Sequence, residues 1–265
     1  MSGFLFSEDV IIYLQSFGNP FIDFLFRTIT EAGSYSTIFF LATLIFWCYD
    51  KKLGLKLMYV ILISATLAIL AKNLFKIPRP TEVLHKISPK GYGFPSGHAL
   101  VSSAFWGYLC LNIRRWMIFV FIVLSISVSR IYLGVHYVGD VIGGIFFGLA
   151  IAFVFYKAEM VGNKEYIIVP VLILLLLHPA LSKEEVVIGL LMISIGVGYL
   201  LEEKYIMLED AKNNRQRIKR AFAGILILGT TYIVSMISPF FVYAMLGFAS
   251  TFVAPLVFVW IESYG

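Results

Sequence analysis

Apolar runs long enough to cross a membrane, separated by short charged loops, constrain this chain more than any other feature. They cover residues 34–49, 57–75, 98–111, 116–133, 139–156, 167–181, 186–201, 220–237 and 240–261. About 20 apolar helical residues span the hydrocarbon core. Backbone polar groups inside it must be satisfied within the protein, which leaves helices or closed barrels. The sequence therefore predicts an all-α, polytopic transmembrane helical bundle of about nine spans. Composition agrees: 60% of residues are hydrophobic and 14% charged, against roughly half and a quarter in a soluble domain.

The cations orient the bundle. With the loop at Lys51 inside, Lys52, Lys56, Arg114, Arg115, Lys157, Lys164, Lys204, Lys212, Arg215, Arg217, Lys219 and Arg220 also fall on the cytoplasmic side. The other side keeps only Arg27, Lys183 and the cations of the 76–90 loop. Positive loops stay inside, so the N-terminus is expected outside and the C-terminus in the cytoplasm. The net charge of +5 is accounted for by this asymmetry, and nucleic acid is not an expected partner. An integral protein of the cell (inner) membrane is expected, with membrane lipids around it.

Three regions follow. Residues 1–33 read as N-terminal interfacial amphipathic helices, with Phe4, Leu5, Val10, Ile11, Ile12, Leu14 and Phe17 as the apolar face and a turn at Gly18-Asn19-Pro20. The second of them can continue into the first span. Without a basic n-region, and with Glu8 and Asp9 early, this stretch does not read as a signal peptide. Residues 34–157 form a membrane core, and 165–262 supply four additional spans. Gly139/Gly143 and Gly144/Gly148 have the spacing of close helix packing. Pro170 and Pro255 fall inside spans, where kinks are expected. Cys48 and Cys110 sit in apolar segments without metal-ligand spacing and read as packing residues.

Polar side chains at membrane depth are costly and mark function. Here they cluster between Lys72 and Asp140. Lys72 and Arg79, then Ser96-Gly97-His98, then Arg130, His136 and Asp140 all fall at the non-cytoplasmic ends of their spans. Lys72, Arg79 and Arg130 beside a helix N-terminus make an anion site, since free N–H groups and guanidinium forks suit phosphate oxygens. Gly97 allows close backbone approach. His136 and Asp140 are four apart, so on a helix the carboxylate reaches one imidazole nitrogen and leaves the other free. His98, at the amide-rich end, suits a general acid. Chemistry alone does not decide which histidine attacks. No acidic cluster with divalent-metal spacing accompanies them, so neither metal nor cofactor is expected.

Lys72 with six residues before Arg79-Pro80, Pro95-Ser96-Gly97-His98, and Ser129-Arg130 with five residues before His136 and three before Asp140 resemble the three-part signature of the type 2 phosphatidic acid phosphatase family. These are integral-membrane lipid phosphate phosphatases, similar in their core helices to vanadium haloperoxidases and acid phosphatases. The resemblance covers about 70 residues. It implies metal-independent hydrolysis through a phosphohistidine, with His136 the nucleophile, Asp140 its orienting carboxylate and His98 the acid. It implies Lys72, Arg79, Ser96, Gly97 and Arg130 as phosphate ligands. The nine-span plan is similar to glucose-6-phosphatases and sphingosine-1-phosphate phosphatases. The expected substrate is a lipid phosphate or polyprenyl (di)phosphate. A small soluble ester such as a sugar phosphate is the second expectation, and an idle lipid binder or transporter the third.

Overall fold

The computed structural model describes residues 4–158, 183–235 and 239–263. The expected sixth span, with Pro170 and His178, lies outside them. The described residues form helices α1 (Asp9–Gln15), α2 (Pro20–Glu31), α3 (Tyr35–Cys48), α4 (Lys51–Phe75), α5 (Gly97–Ile113), α6 (Trp116–Tyr132), α7 (Val138–Ala158), α8 (Lys183–Leu201), α9 (Asn214–Ser235), α10 (Pro239–Phe248) and α11 (Ala254–Ser263). No strand occurs among them. The all-α expectation holds.

By length and composition four of the described segments can cross a membrane: Lys51–Phe75, Val138–Lys157, Lys183–Ile206 and Phe241–Ser263. A fifth arises if α2 and α3, bent by 50°, act as one broken span. Helix α5 is apolar but studded with Ser102, Ser103 and Gly107, all buried. It is sheathed by protein rather than lipid, which is why its sequence tolerates them.

Two compact units divide the chain: Met1–Phe40 with Val60–Glu159, and Leu41–Tyr59 with Met160–Gly265. In the first, α5 packs along α7 through the predicted small residues. A Cβ at Gly144 would stand 2.7 Å from Ser96 O and 3.0 Å from Ala99 Cβ, and one at Gly148 would stand 2.8 Å from Ser103 Cβ. Gly139 and Gly143 instead face the rings of Phe6 and Phe94.

Asn19 starts α2, its Oδ1 accepting from Phe21 N and Ile22 N at 3.0 Å, with Pro20 in the first turn. The face of α1 is divided. Ile11 is fully buried against Ala99, Ile131 and Val141, while Ile12 and Phe17 are exposed. Gln15 Nε2 ties α1 to Leu84 O and Tyr132 O, both at 2.8 Å.

In the second unit Asp50 begins α4, its Oδ1 accepting from Leu53 N at 2.8 Å. The charged stretch read as a loop after the first span is therefore the first turn of a helix, because its own carboxylate caps it. Lys51 pairs with the buried Glu202 at 2.9 Å. Trp47 Nε1 donates to Ser250 O at 2.7 Å, and Arg220 Nε to Glu262 Oε1 at 2.8 Å. A π-helical segment, Ala249–Val253, immediately precedes Ala254-Pro255. Proline cannot donate the bond a continuous helix needs there, so the kink expected at Pro255 takes this form.

Candidate active site

All eight residues singled out from sequence lie in the first unit, on the end of α4, the loop after it, the start of α5, the end of α6, the turn that follows it and the start of α7. Lys72, on the last turn of α4, donates from Nζ to Tyr92 O at 2.6 Å and Gly93 O at 3.2 Å. Arg79 sits in the loop. Its Nε donates to Gly91 O at 2.8 Å, Nη2 to Lys90 O at 2.7 Å, and Nη1 to Val135 O at 2.7 Å. Two of the expected phosphate ligands thus hold a single stretch of backbone, 90–93.

That stretch needs its glycines. Gly91 has φ +64°, and a Cβ on Gly93 would lie 3.0 Å from Asp140 Oδ2 and 3.1 Å from Pro78 O. Ser96 then stitches two helix starts together, its N–H donating to Asp140 O at 2.9 Å. Ser96 precedes α5 without capping it through its side chain. The first-turn N–H groups of α5 point out of the helix, as at every helix start.

His136 Nδ1 lies 3.2 Å from Asp140 Oδ2, and its Nε2 lies 3.2 Å from Arg79 Nη1. The i, i+4 spacing works, but not for the expected reason. Helix α7 begins at Val138, so His136 stands ahead of it. Asp140 bends back to the helix start, where its Oδ2 also accepts from Tyr137 N at 3.0 Å. The carboxylate therefore caps the helix and holds the imidazole with one oxygen. Gly134, at φ +73°, makes the preceding turn, and a Cβ there would strike Leu84 O.

His136 is 2% exposed, Asp140 0% and Arg130 6%. Burial first, then the charges of Arg130, Arg79, Lys72 and His98, hold the His136 imidazolium well below its ordinary range. The ring is neutral at physiological pH. Burial also lowers the Arg79 guanidinium from its usual value, partly countered by Asp140 and Tyr35. Three buried polar atoms, Ser96 Oγ, Arg130 Nε and Asp140 Oδ1, have no partner among the described residues. Each such atom costs about 1–3 kcal/mol, so this part of the cluster does not contribute to stability.

Two further residues reach the cluster without having been singled out. Thr30, near the end of α2, accepts from Arg130 Nη1 at 2.8 Å. Tyr35, at the start of α3, places its ring 5.9 Å from that of His98. Neither stands near a signature motif, and nothing local distinguishes them from other polar residues at helix ends.

Residues 53–162 match the PAP2 superfamily, and residues 187–265 match the PAP2 superfamily phosphatase transmembrane extension. The first of these stretches carries every site residue singled out from the sequence and is of PAP2 type. The chain is similar to an undecaprenyl-diphosphatase of Sulfolobus acidocaldarius, 33% identical over 46% of this chain and 62% of that protein. It is also similar to a probable sphingosine-1-phosphate phosphatase of Dictyostelium discoideum, 31% identical over 54% of this chain and 41% of that one. The chain thus spans less than two thirds of either relative. Among solved structures, a transmembrane PAP2-type phosphatidylglycerolphosphate phosphatase from Bacillus subtilis shares the fold. Its TM-score is 0.52 at 22% identity, covering 57% of this chain and 83% of that one.

Proposed function

We propose that this chain is a membrane phosphatase that removes the terminal phosphate of a lipid phosphate or polyprenyl (di)phosphate through a phosphohistidine. The observation that carries this reading is His136 held through Nδ1 by Asp140, with Nε2 turned toward Arg79. Nε2 carries the lone pair, which accepts from Arg79 Nη1 until the phosphoryl group takes that donor. It attacks phosphorus as the bond from phosphorus to the leaving oxygen breaks, and His98 delivers a proton to that oxygen. Asp140 steadies the positive charge gained by the imidazole. His98 then takes a proton from water, whose oxygen displaces His136 and releases inorganic phosphate. The sum is a phosphate ester plus water giving an alcohol plus phosphate.

Lys72, Arg79, Arg130, the Ser96 hydroxyl and the Gly97 amide serve as ligands for the phosphoryl oxygens, where preorganised positive charge contributes most to such reactions. In this reading the cations do the work a metal ion does in other phosphatases. The names of two of the chain's relatives, an undecaprenyl-diphosphatase and a probable sphingosine-1-phosphate phosphatase, favour a lipid substrate. So does a site at the ends of apolar helices. The loop cations support nine spans with the N-terminus outside, which sets the site on the non-cytoplasmic face.

Purified protein in detergent, given phosphatidate, sphingoid-base phosphate, undecaprenyl diphosphate and glucose 6-phosphate, tests the reading. Phosphate release from one of the lipids is expected, retained in EDTA and abolished by His136→Ala and His98→Ala. Hydrolysis of glucose 6-phosphate alone would move the substrate to the soluble class. Full activity in either variant, or loss of activity on chelation, would overturn the mechanism.

A further inference from the structure

The bend between α2 and α3 brings a side chain to the site from outside the three-part signature. Tyr35 leads α3. The residue as a whole is 40% exposed, but its hydroxyl lies against the backbone of Gly97. A Cβ built on Gly97 would run into the Tyr35 hydroxyl. The glycine at the start of α5 therefore does more than admit an anion to the backbone: its bare face is where a phenol oxygen sits.

The ring also lies against His98, with centroids 5.9 Å apart and planes tilted by 39°. The bend is held in place from both sides. Thr30, five residues earlier, accepts from Arg130. Gly33 leaves room for Ile126, whose Cδ1 would stand 3.2 Å from a Cβ at that position.

A phenol turned into protein seeks a hydrogen-bond partner. No protein partner for the Tyr35 hydroxyl is found among the described residues, although its polar surroundings include Arg130 and Arg79. Those groups are donors only. The acceptor that suits a hydroxyl lying against a helix N-terminus, in the field of two guanidinium groups, is an anionic oxygen.

We propose that Tyr35 is a further catalytic residue whose hydroxyl donates a hydrogen bond to a non-bridging oxygen of the phosphoryl group held at the start of α5. This rests on the phosphatase reading above. The neutral phenol adds a donor without adding a fourth fixed cation, so the product phosphate gains a ligand without a further increase in site charge.

Tyr35→Phe keeps the ring against His98 and removes only the hydroxyl. The measurements are kcat/KM with the best lipid substrate, inhibition by inorganic phosphate, direct phosphate binding to the purified protein, and the thermal midpoint. Loss of one hydrogen bond to a charged oxygen predicts a fall in kcat/KM of about 10- to 100-fold and phosphate binding weaker by about 10-fold, with an unchanged midpoint. Activity and phosphate binding both within about twofold of the parent would reduce Tyr35 to packing and overturn the proposal. So would reduced activity with unchanged phosphate binding. A parent that binds phosphate but releases none from any ester would sink the phosphatase reading, and comparing the affinities of parent and variant would still decide Tyr35. A parent that neither binds nor releases phosphate would overturn both.

Discussion

Arg130 Nη1 donates to Thr30 Oγ1 at 2.8 Å, across 100 residues of sequence. This bond aims a buried guanidinium whose Nε already lacks a partner. Thr30→Val keeps the shape and removes the acceptor. A buried charged group losing a partner costs about 1.5–3 kcal/mol, and Arg130 is then free to turn. The expected result is a fall in kcat/KM of about 10-fold or more, rescued by Thr30→Ser. Steady-state kinetics on the three proteins decide it, and equal values for parent and Thr30→Val would show that Arg130 needs no aiming.

Asp140 accepts from both His136 Nδ1 and Tyr137 N, so its replacement has two separable effects. Asp140→Asn can still accept from Tyr137 N but no longer stabilises an imidazolium. By analogy with carboxylate-to-amide changes in histidine relays, kcat falls on the order of 10²–10⁴-fold while the protein remains folded. Asp140→Ala loses the helix cap as well, and its thermal midpoint falls below that of Asp140→Asn. A kcat within tenfold of the parent in Asp140→Asn would remove the carboxylate from the mechanism.

The neutral state of His136 has a consequence for stability against pH. Its folded value lies well below the ordinary 6.5. Between the two values the unfolded chain holds more protons at this group than the folded chain. The stability it contributes is therefore complete above about pH 6.5 and is lost progressively as pH falls. Thermal midpoints in detergent are expected to drop on acidification from about pH 7.5 to 5, and less steeply in His136→Gln. Identical slopes would place the acid-sensitive group elsewhere.

Packing of α5 on α7 offers a contrast between glycines. A Cβ at Gly144 meets Ser96 O and Leu100 N, both backbone atoms, at 2.7 and 3.1 Å. The backbone there cannot yield without moving Ser96, whose N–H is bound to Asp140 O. Gly144→Ala is expected to cost about 1–3 kcal/mol and to lower activity by displacing the start of α5. Gly229 in α9 has nothing within 4 Å of a Cβ, so Gly229→Ala is expected to be neutral or stabilising by up to about 1 kcal/mol. Thermal unfolding and activity of both variants test the pair.

Each described helix coincides with an apolar run or an amphipathic stretch read from the sequence, and the Gly144/Gly148 spacing announced a close helix pair. Helix α4 nevertheless begins at Lys51, inside what hydropathy assigns to a loop, because Asp50 caps it. Span number was less legible. Length and composition support four described spans, or five with the bent pair. A buried helix such as α5 need not be as apolar as one facing lipid.

For the site, residue type and spacing alone selected Lys72, Arg79, Ser96, Gly97, His98, Arg130, His136 and Asp140, because charged groups in an apolar chain stand out and motif order is one-dimensional. Only the tertiary structure revealed that Arg79 and Lys72 clamp the backbone of residues 90–93, and that Asp140 caps a helix in which His136 does not lie. It alone brought Thr30 and Tyr35 to the cluster. These are contacts between elements far apart along the chain. They depend on the bend between two helices and on the register in which their faces meet, and no local pattern of residues encodes either.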